Sequence, residues 1–180
     1  MDRGALRSVA LRVAALALLL LLVLVSVLSM RTLNRLPDAT LYWVRSDPTT
    51  FTLVPRSRRL GSRDAGAYAR AAVAALAAGP NASERAAGLS SAVPTGTEAI
   101  SARLRNGTLS VDLSDEFVSG GGSASMRARL EQLRWTLTQP TWVDAVDLQV
   151  EGAPLTVLGG EGLMVAPVWS RPADGALPRW

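Results

Sequence analysis

The longest apolar run in the chain, Val13 to Met30 (VAALALLLLLVLVSVLSM), contains no charged residue. At ~1.5 Å per residue it would reach about 27 Å as a helix, close to the thickness of a bilayer's hydrocarbon core. It predicts a transmembrane helix over 13–30. After it, the apolar positions break into short patterned stretches. Leu41-Tyr42-Trp43-Val44 and Phe51-Thr52-Leu53-Val54 are β-prone, and Asp47-Pro48 between them marks a turn. Arg56 to Gly61 is expected to be a loop. Ser62 is placed to cap a helix with Asp64 in its first turn, and Tyr68, Ala72 and Leu76 share one face of that helix. Gly79-Pro80 stops it. From Asn81 to Thr97 a long loop is expected, with one helical turn around Glu84.

The next pattern alternates strictly. Ile100 to Arg105 and Thr108 to Leu113 flank Asn106-Gly107, a dipeptide suited to a two-residue turn because both positions need positive φ. Folding about that turn pairs Arg105 with Thr108, Leu104 with Leu109, Ala102 with Val111 and Ile100 with Leu113. The apolar residues then fall on one side, and Ser101, Arg103, Arg105, Ser110 and Asp112 on the other. Beyond Gly120-Gly121-Gly122 the period lengthens. Met126, Leu130, Leu133 and Leu137 form one helical stripe, with Arg127, Gln132 and Arg134 expected outward. Pro140 ends that helix. Val146, Leu148 and Val150 alternate with Asp147 and Gln149 as a strand. Glu151-Gly152 turns the chain into Leu155 to Leu158, which Gly159-Gly160 closes. The tail from Pro167 is expected to be loose.

The element order is therefore β-β-α-loop-β-β-α-β-β. It predicts an α+β fold, a largely antiparallel sheet with two helices on one face, preceded by a single N-terminal transmembrane helix. The expected organisation is a cytoplasmic segment 1–12, a transmembrane anchor or signal peptide 13–30, a juxtamembrane linker 31–38, a folded domain 39–168 and a flexible tail 169–180.

Composition narrows the chemistry. The 180 residues include no cysteine and no histidine, and all 19 basic residues are arginine. Disulfides, thiol nucleophiles, Cys/His zinc sites, Schiff bases and a P-loop lysine are excluded. The net charge of +4 divides evenly: three arginines against Asp2 in the first twelve residues give +2, and 16 arginines against 14 acids in residues 31–180 give +2. The body is nearly balanced. Its one tight basic group, Arg56, Arg58, Arg59 and Arg63, reads as a solvated loop rather than a nucleic-acid face. Arg3, Arg7 and Arg12 ahead of the apolar run favour a cytoplasmic N-terminus, so the body would be exported. The uncleaved anchor is the preferred reading. Its rival is a signal peptide cut after Val27-Leu28-Ser29, which would leave the body secreted or periplasmic.

These elements in order resemble the GerMN family, the module of sporulation and spore-germination proteins. The resemblance rests on the helix ending Leu76-Ala77-Ala78-Gly79-Pro80, on Gly88-Leu89, and on Val93-Pro94-Thr95-Gly96-Thr97. It continues through the hairpin ending Val111-Asp112-Leu113-Ser114-Asp115-Glu116-Phe117, the glycines with Ser123, the second helix, the 146–150 strand and Gly152 to Gly160. It covers roughly residues 39–168. It implies an exported bacterial envelope protein with no catalytic residues or cofactor attributed to the module. The fold is similar to ring-building domains of secretion-type channels, which implies protein–protein assembly, with envelope proteins or further copies of the chain as partners. Lipoprotein members carry a lipid-bearing cysteine that this chain lacks.

Three groups remain as candidate chemistry. Gly120, Gly121, Gly122 and Ser123 resemble a phosphate loop, but neither the Walker nor the G-x-G-x-x-G pattern is met, and a structural entry into the helix is preferred, capped by Ser123 or Ser125. Asp112, Asp115 and Glu116 are a tight acidic group, and paired carboxylates can cleave glycosides. Their positions on a polar strand face and in a turn favour solvated or capping roles. Of Trp43, Trp135, Trp142 and Trp169, Trp142 is the one expected to be exposed and available to an interaction surface or a glycan. The function expected is a non-catalytic, membrane-anchored assembly module of the envelope, using no cofactor and no nucleic acid. The alternative is a peptidoglycan- or glycan-binding envelope protein.

Overall fold

The computed structural model describes residues 16–26, 38–47, 50–61, 64–159 and 162–179. The chain divides into two compact units, 1–36 and 37–180. In the first, residues 16–26 form a helix (α1) whose leucines and valines are all exposed. Its 11 residues reach about 16 Å. No helix among the described residues is long and apolar enough to cross a membrane. The flanks 13–15 and 27–30 of the expected span lie outside the described residues.

The second unit is α+β, but it holds two main sheets rather than one. The first is antiparallel, in the order β2-β1-β3. Strands β1 (Asp38–Ser46) and β2 (Phe51–Arg59) pair along their whole length, from Asp38 with Arg59 to Ser46 with Phe51. The arginines 56, 58 and 59, expected in a loop, therefore sit on a strand. Strand β3 (Leu89–Ser90) adds to the other edge of β1. The second sheet runs β10-β6-β5-β4. Strands β4 (Ala99–Arg105) and β5 (Thr108–Leu113) form the expected hairpin, with Asn106 at φ 48° and Gly107 at φ 77°. Gly107 is doubly constrained, because a Cβ there would lie 2.0 Å from Asp144 Oδ2.

The hairpin register holds from Arg105–Thr108 to Ser101–Asp112 and then slips. Ala99, not Ile100, faces Leu113. A bulge inserts one residue between Ala99 and Ser101, and it turns Ile100 out to 50 % exposure. Strands β5 and β6 (Ala145–Val150) run parallel, a second departure from the expected antiparallel sheet. The cause is the intervening helix α4 (Ser123–Leu137), which serves as the crossover that parallel neighbours require.

Helix α2 (Ala65–Ala78) is capped by Asp64, whose Oδ2 accepts from the Ala67 amide at 2.8 Å; the expected cap, Ser62, lies outside the described residues. Tyr68, Ala72 and Leu76 are buried together with Met126, Leu130, Leu133 and Leu137 of α4 and with Leu109, Val111, Leu113, Val146 and Leu148 of the second sheet. Helix α4 is buried on a second side too. There Ala128 and Trp135 meet Tyr42, Val44 and Leu53 of the first sheet. Gln132 and Arg134, expected outward, are consequently buried. Gln132 Oε1 accepts from the Ala92 amide at 2.8 Å, and Arg134 Nη2 donates to Ala166 O at 3.2 Å.

The C-terminal segment pairs in part and is exposed from Pro172 to Leu177. Strands β8 (Val157–Leu158) and β9 (Leu163–Met164) pair, and β10 (Trp169–Ser170) joins β6. Trp169 meets Trp135 at 5.8 Å between ring centroids. The Arg171 guanidinium lies over Trp135 at 4.8 Å and Tyr42 at 5.5 Å, and its Nε donates to Thr138 Oγ1 at 2.8 Å. Cation–π contacts and hydrogen bonds thus hold the C-terminal segment across α4.

Candidate functional site

The glycine segment is built around a cation, not an anion. After a short 3-10 turn (Asp115–Val118), the chain passes Gly120 at φ 62° and Gly121 at φ 88°, a left-handed passage that favours glycine. A Cβ on Gly121 would also stand 3.1 Å from Ser125 Oγ and 3.3 Å from Arg129 Nη2. Arg129 is buried beneath. It donates Nη1 to Phe117 O, Nη2 to Gly120 O at 3.0 Å and Nε to Ala92 O at 3.0 Å, and its guanidinium lies 5.9 Å from the Phe117 ring. Burial makes this guanidinium give up its proton more readily than usual. The N-cap of α4 is Gly122, and neither Ser123 nor Ser125 makes a capping side-chain bond. The loop's carbonyls are turned towards a positive charge. That arrangement fixes an entry into a helix, and Arg129, which carries it, was not singled out by sequence periodicity.

Of the acidic group, Asp112 lies on β5, and Asp115 and Glu116 lie in the 3-10 turn that follows it. Asp112 Oδ1 accepts from the Gly152 amide at 2.8 Å and so holds the turn after β6. The Asp115 amide donates to Glu151 Oε1 at 3.2 Å. Glu116 is fully exposed, and its carboxyl is held below the usual range chiefly by the Ser114 side chain. No group of three or more metal-binding side chains occurs among the described residues.

A buried carboxylate does occur at Glu84, in the five-residue helix α3 (Ala82–Ala86). Burial alone would raise its pKa. Hydrogen bonds from the Asn81 amide (2.7 Å), Arg58 Nη2 (2.6 Å) and Trp43 Nε1 (3.2 Å) outweigh that and lower it. Asn81 in turn caps α3 through the Glu84 amide, completing a capping box. The role is structural, joining α3 to both strands of the first hairpin. A depressed folded pKa gives stability that is present above the carboxyl's unfolded pKa and lost as pH falls through the folded value. Acid titration of the wild type should therefore show a loss of stability below about pH 4, and Glu84→Gln should flatten that slope while lowering stability at neutral pH. Urea midpoints measured from pH 3 to 7 check this.

Among the tryptophans, Trp43 and Trp135 are buried and Trp169 is half-buried, whereas Trp142 is 38 % exposed. It stands just before β6, with Tyr68 of α2 fixing it in a T-shaped contact at 5.6 Å and 80°. The Tyr68 hydroxyl donates to Thr136 O at 2.7 Å, and burial pushes its pKa up, so it remains a neutral donor. Trp142 borders a cavity of about 620 Å³ with Asp64, Gly66, Ala102, Arg103, Leu104 and Arg105. On the outer sheet face a second, of about 340 Å³, is lined by Ser101, Arg103, Arg105, Ser110, Asp112 and Gln149.

Comparison with known proteins agrees with this architecture. The family profile Germane, described as sporulation and spore germination, matches residues 40–156. The solved tandem GerMN domains of the sporulation protein GerM from Bacillus subtilis superpose with a TM-score of 0.60 at 22 % identity, covering 75 % of this chain and 44 % of that one. This chain thus spans less than half of the tandem protein. The first GerMN domain of the same protein, taken alone, gives a TM-score of 0.60 at 21 % identity, covering 75 % of this chain and 98 % of that one. No curated protein sequence matches. The profile covers well over half of the chain, from β1 through β7 (Ala153–Pro154), and on that ground the chain belongs to the Germane family of sporulation and spore germination, its folded unit being a GerMN domain.

Proposed function

We propose that this protein is a non-catalytic assembly module of the bacterial cell envelope. Residues 13–30 would hold it in the cytoplasmic membrane, and the GerMN domain would lie outside. The observation that carries the assembly reading is an apolar surface on the last part of the chain. Val157 and Met164 are partners across β8–β9 and are 45 % and 76 % exposed, and Val168, four residues further along the chain, is exposed as well. Apolar side chains left in water on a paired ribbon mark a contact surface. They lie past residue 156, where the family match ends.

The anchor is supported by the first unit. A helix with exposed leucine and valine on every side has no face for water. Arginines before it set the orientation. Full-length Met164→Asp protein, captured from detergent-solubilised membranes, should lose its co-purifying envelope proteins while keeping its melting temperature. Unchanged co-purification would remove the β8–β9 ribbon from the interface. Release of wild-type protein from membranes by alkaline carbonate would rule out the anchor.

A further inference from the structure

The two cavities beside β4 share Arg103 and Arg105, and together they form one continuous surface across the edge of the second sheet. We infer that this surface binds a carboxylated glycan strand, with Trp142 stacking on a sugar ring and Arg103 and Arg105 receiving the carboxylates. The inference is independent of the β8–β9 ribbon, which lies on other residues.

Four features make the surface a binding site for this chemistry. Trp142 is exposed and held in place by Tyr68, so little side-chain freedom is lost when a ring stacks on it. Arg103 and Arg105 are exposed and have no ion-pair partner among the described residues. Strand β4 is an unpaired edge. The two-residue turn makes Arg105 and Thr108 a hydrogen-bonded pair, so the main-chain groups of Leu104 and Ala102 point away from β5. Those of Leu104 face the groove as a donor and an acceptor suited to sugar hydroxyls, whereas Ala102 O lies against α2. Helix α2 comes close to them at Gly66, where a Cβ would stand 3.2 Å from Ala102 O. On the other side of the strand, Ser101, Ser110 and Gln149 continue the polar surface.

The mixture selects among anionic polymers. Two arginines with Asp64 and Asp112 on the same surface leave it without net charge, so an anion is held only by direct pairing with Arg103 or Arg105. A nucleic-acid backbone, with a charge at every residue, needs a denser array. A glycan with carboxylates on some of its sugars matches the sparse charge, and its C–H faces match the indole.

The test is calorimetry on the full-length chain in detergent. The probes are an oligogalacturonate, a neutral chito-oligosaccharide of equal length, and poly-glutamate. The expected result is binding of the oligogalacturonate, with the neutral oligomer at least about tenfold weaker. Arg103→Ser/Arg105→Ser should weaken binding at least about tenfold without moving the melting temperature, since both side chains are exposed. Trp142→Ala should weaken the charged and neutral oligomers alike. Absence of oligogalacturonate binding, or binding unaffected by the double arginine change, overturns the inference. So does poly-glutamate binding with equal affinity through the same arginines, which would make the surface an acidic-peptide site.

Discussion

Arg129→Ala should lower the unfolding free energy by about 2–4 kcal/mol, one of the two largest losses from a single change in the domain. Two effects oppose each other. Removing a buried guanidinium relieves the cost of keeping a charge out of water, a cost visible in its lowered pKa. Against this, three carbonyls, of Ala92, Phe117 and Gly120, lose their donor at once. Each orphaned acceptor costs about 1–3 kcal/mol unless water reaches it. Water can reach Gly120, which is exposed, but not the carbonyl of buried Phe117, so the loss dominates. Arg129→Lys keeps the charge but cannot bridge three acceptors spread across two loops, and should recover less than half of the stability. Urea unfolding measures both variants, and hydrogen exchange at residues 117–122 locates the effect. A melting curve unchanged in Arg129→Ala would mean that the glycine segment is held by something else.

The second large effect is Leu133→Ala, expected to cost about 2–5 kcal/mol. Leu133 has no exposed surface and lies in the middle of the α4 stripe, within the main core. The core cluster it belongs to draws on α2, α4 and both main sheets, so the packing around it has little room to close over a cavity. The exposed Arg127, six residues earlier on the same helix, is the control: Arg127→Ala should stay within about 0.5 kcal/mol. Equal melting temperatures for Leu133→Ala and wild type would contradict the packing described here.

These two residues also mark what the sequence could and could not disclose. Leu133 was legible because period 3.6 is a local property, and the stripe from Met126 to Leu137 is regular. Arg129 was not, since an arginine three positions after the helix's first apolar residue looks solvated until the loop folding over it is known. Gln132 and Arg134 were misplaced for a related reason. One amphipathic stripe implies one buried face, but α4 lies against two sheets and is buried on both sides. The Asn106-Gly107 hairpin was legible from turn chemistry, but its bulge at Ile100 was not, because alternation continues unbroken through the inserted residue. The arginines 56, 58 and 59 hid the second half of β2. The parallel pairing of β5 with β6 was open to inference from the helix between them, since a strand–helix–strand order with α4 as crossover is how parallel neighbours are joined.

The surface residues follow the same rule. Trp142 stood out by its place just after Pro140, beyond the end of the predicted helix. Its partners in the groove came from register and packing: Asp64 from the helix cap, Arg103 and Arg105 from the polar side of the hairpin. The apolar ribbon was less visible, because Val157 reads as an ordinary strand residue until its pairing with Met164 leaves both in water.

The central claim, that this domain works by joining other envelope proteins, is tested most directly by site-specific photo-crosslinking in living cells. A crosslinking amino acid at position 164 of the full-length protein, with position 74 on the exposed side of α2 as control, reports what touches the ribbon. The account predicts discrete adducts from 164 with a small set of membrane or exported proteins, and none from 74. Adducts with cytoplasmic proteins alone, or the same adducts from both positions, would contradict it.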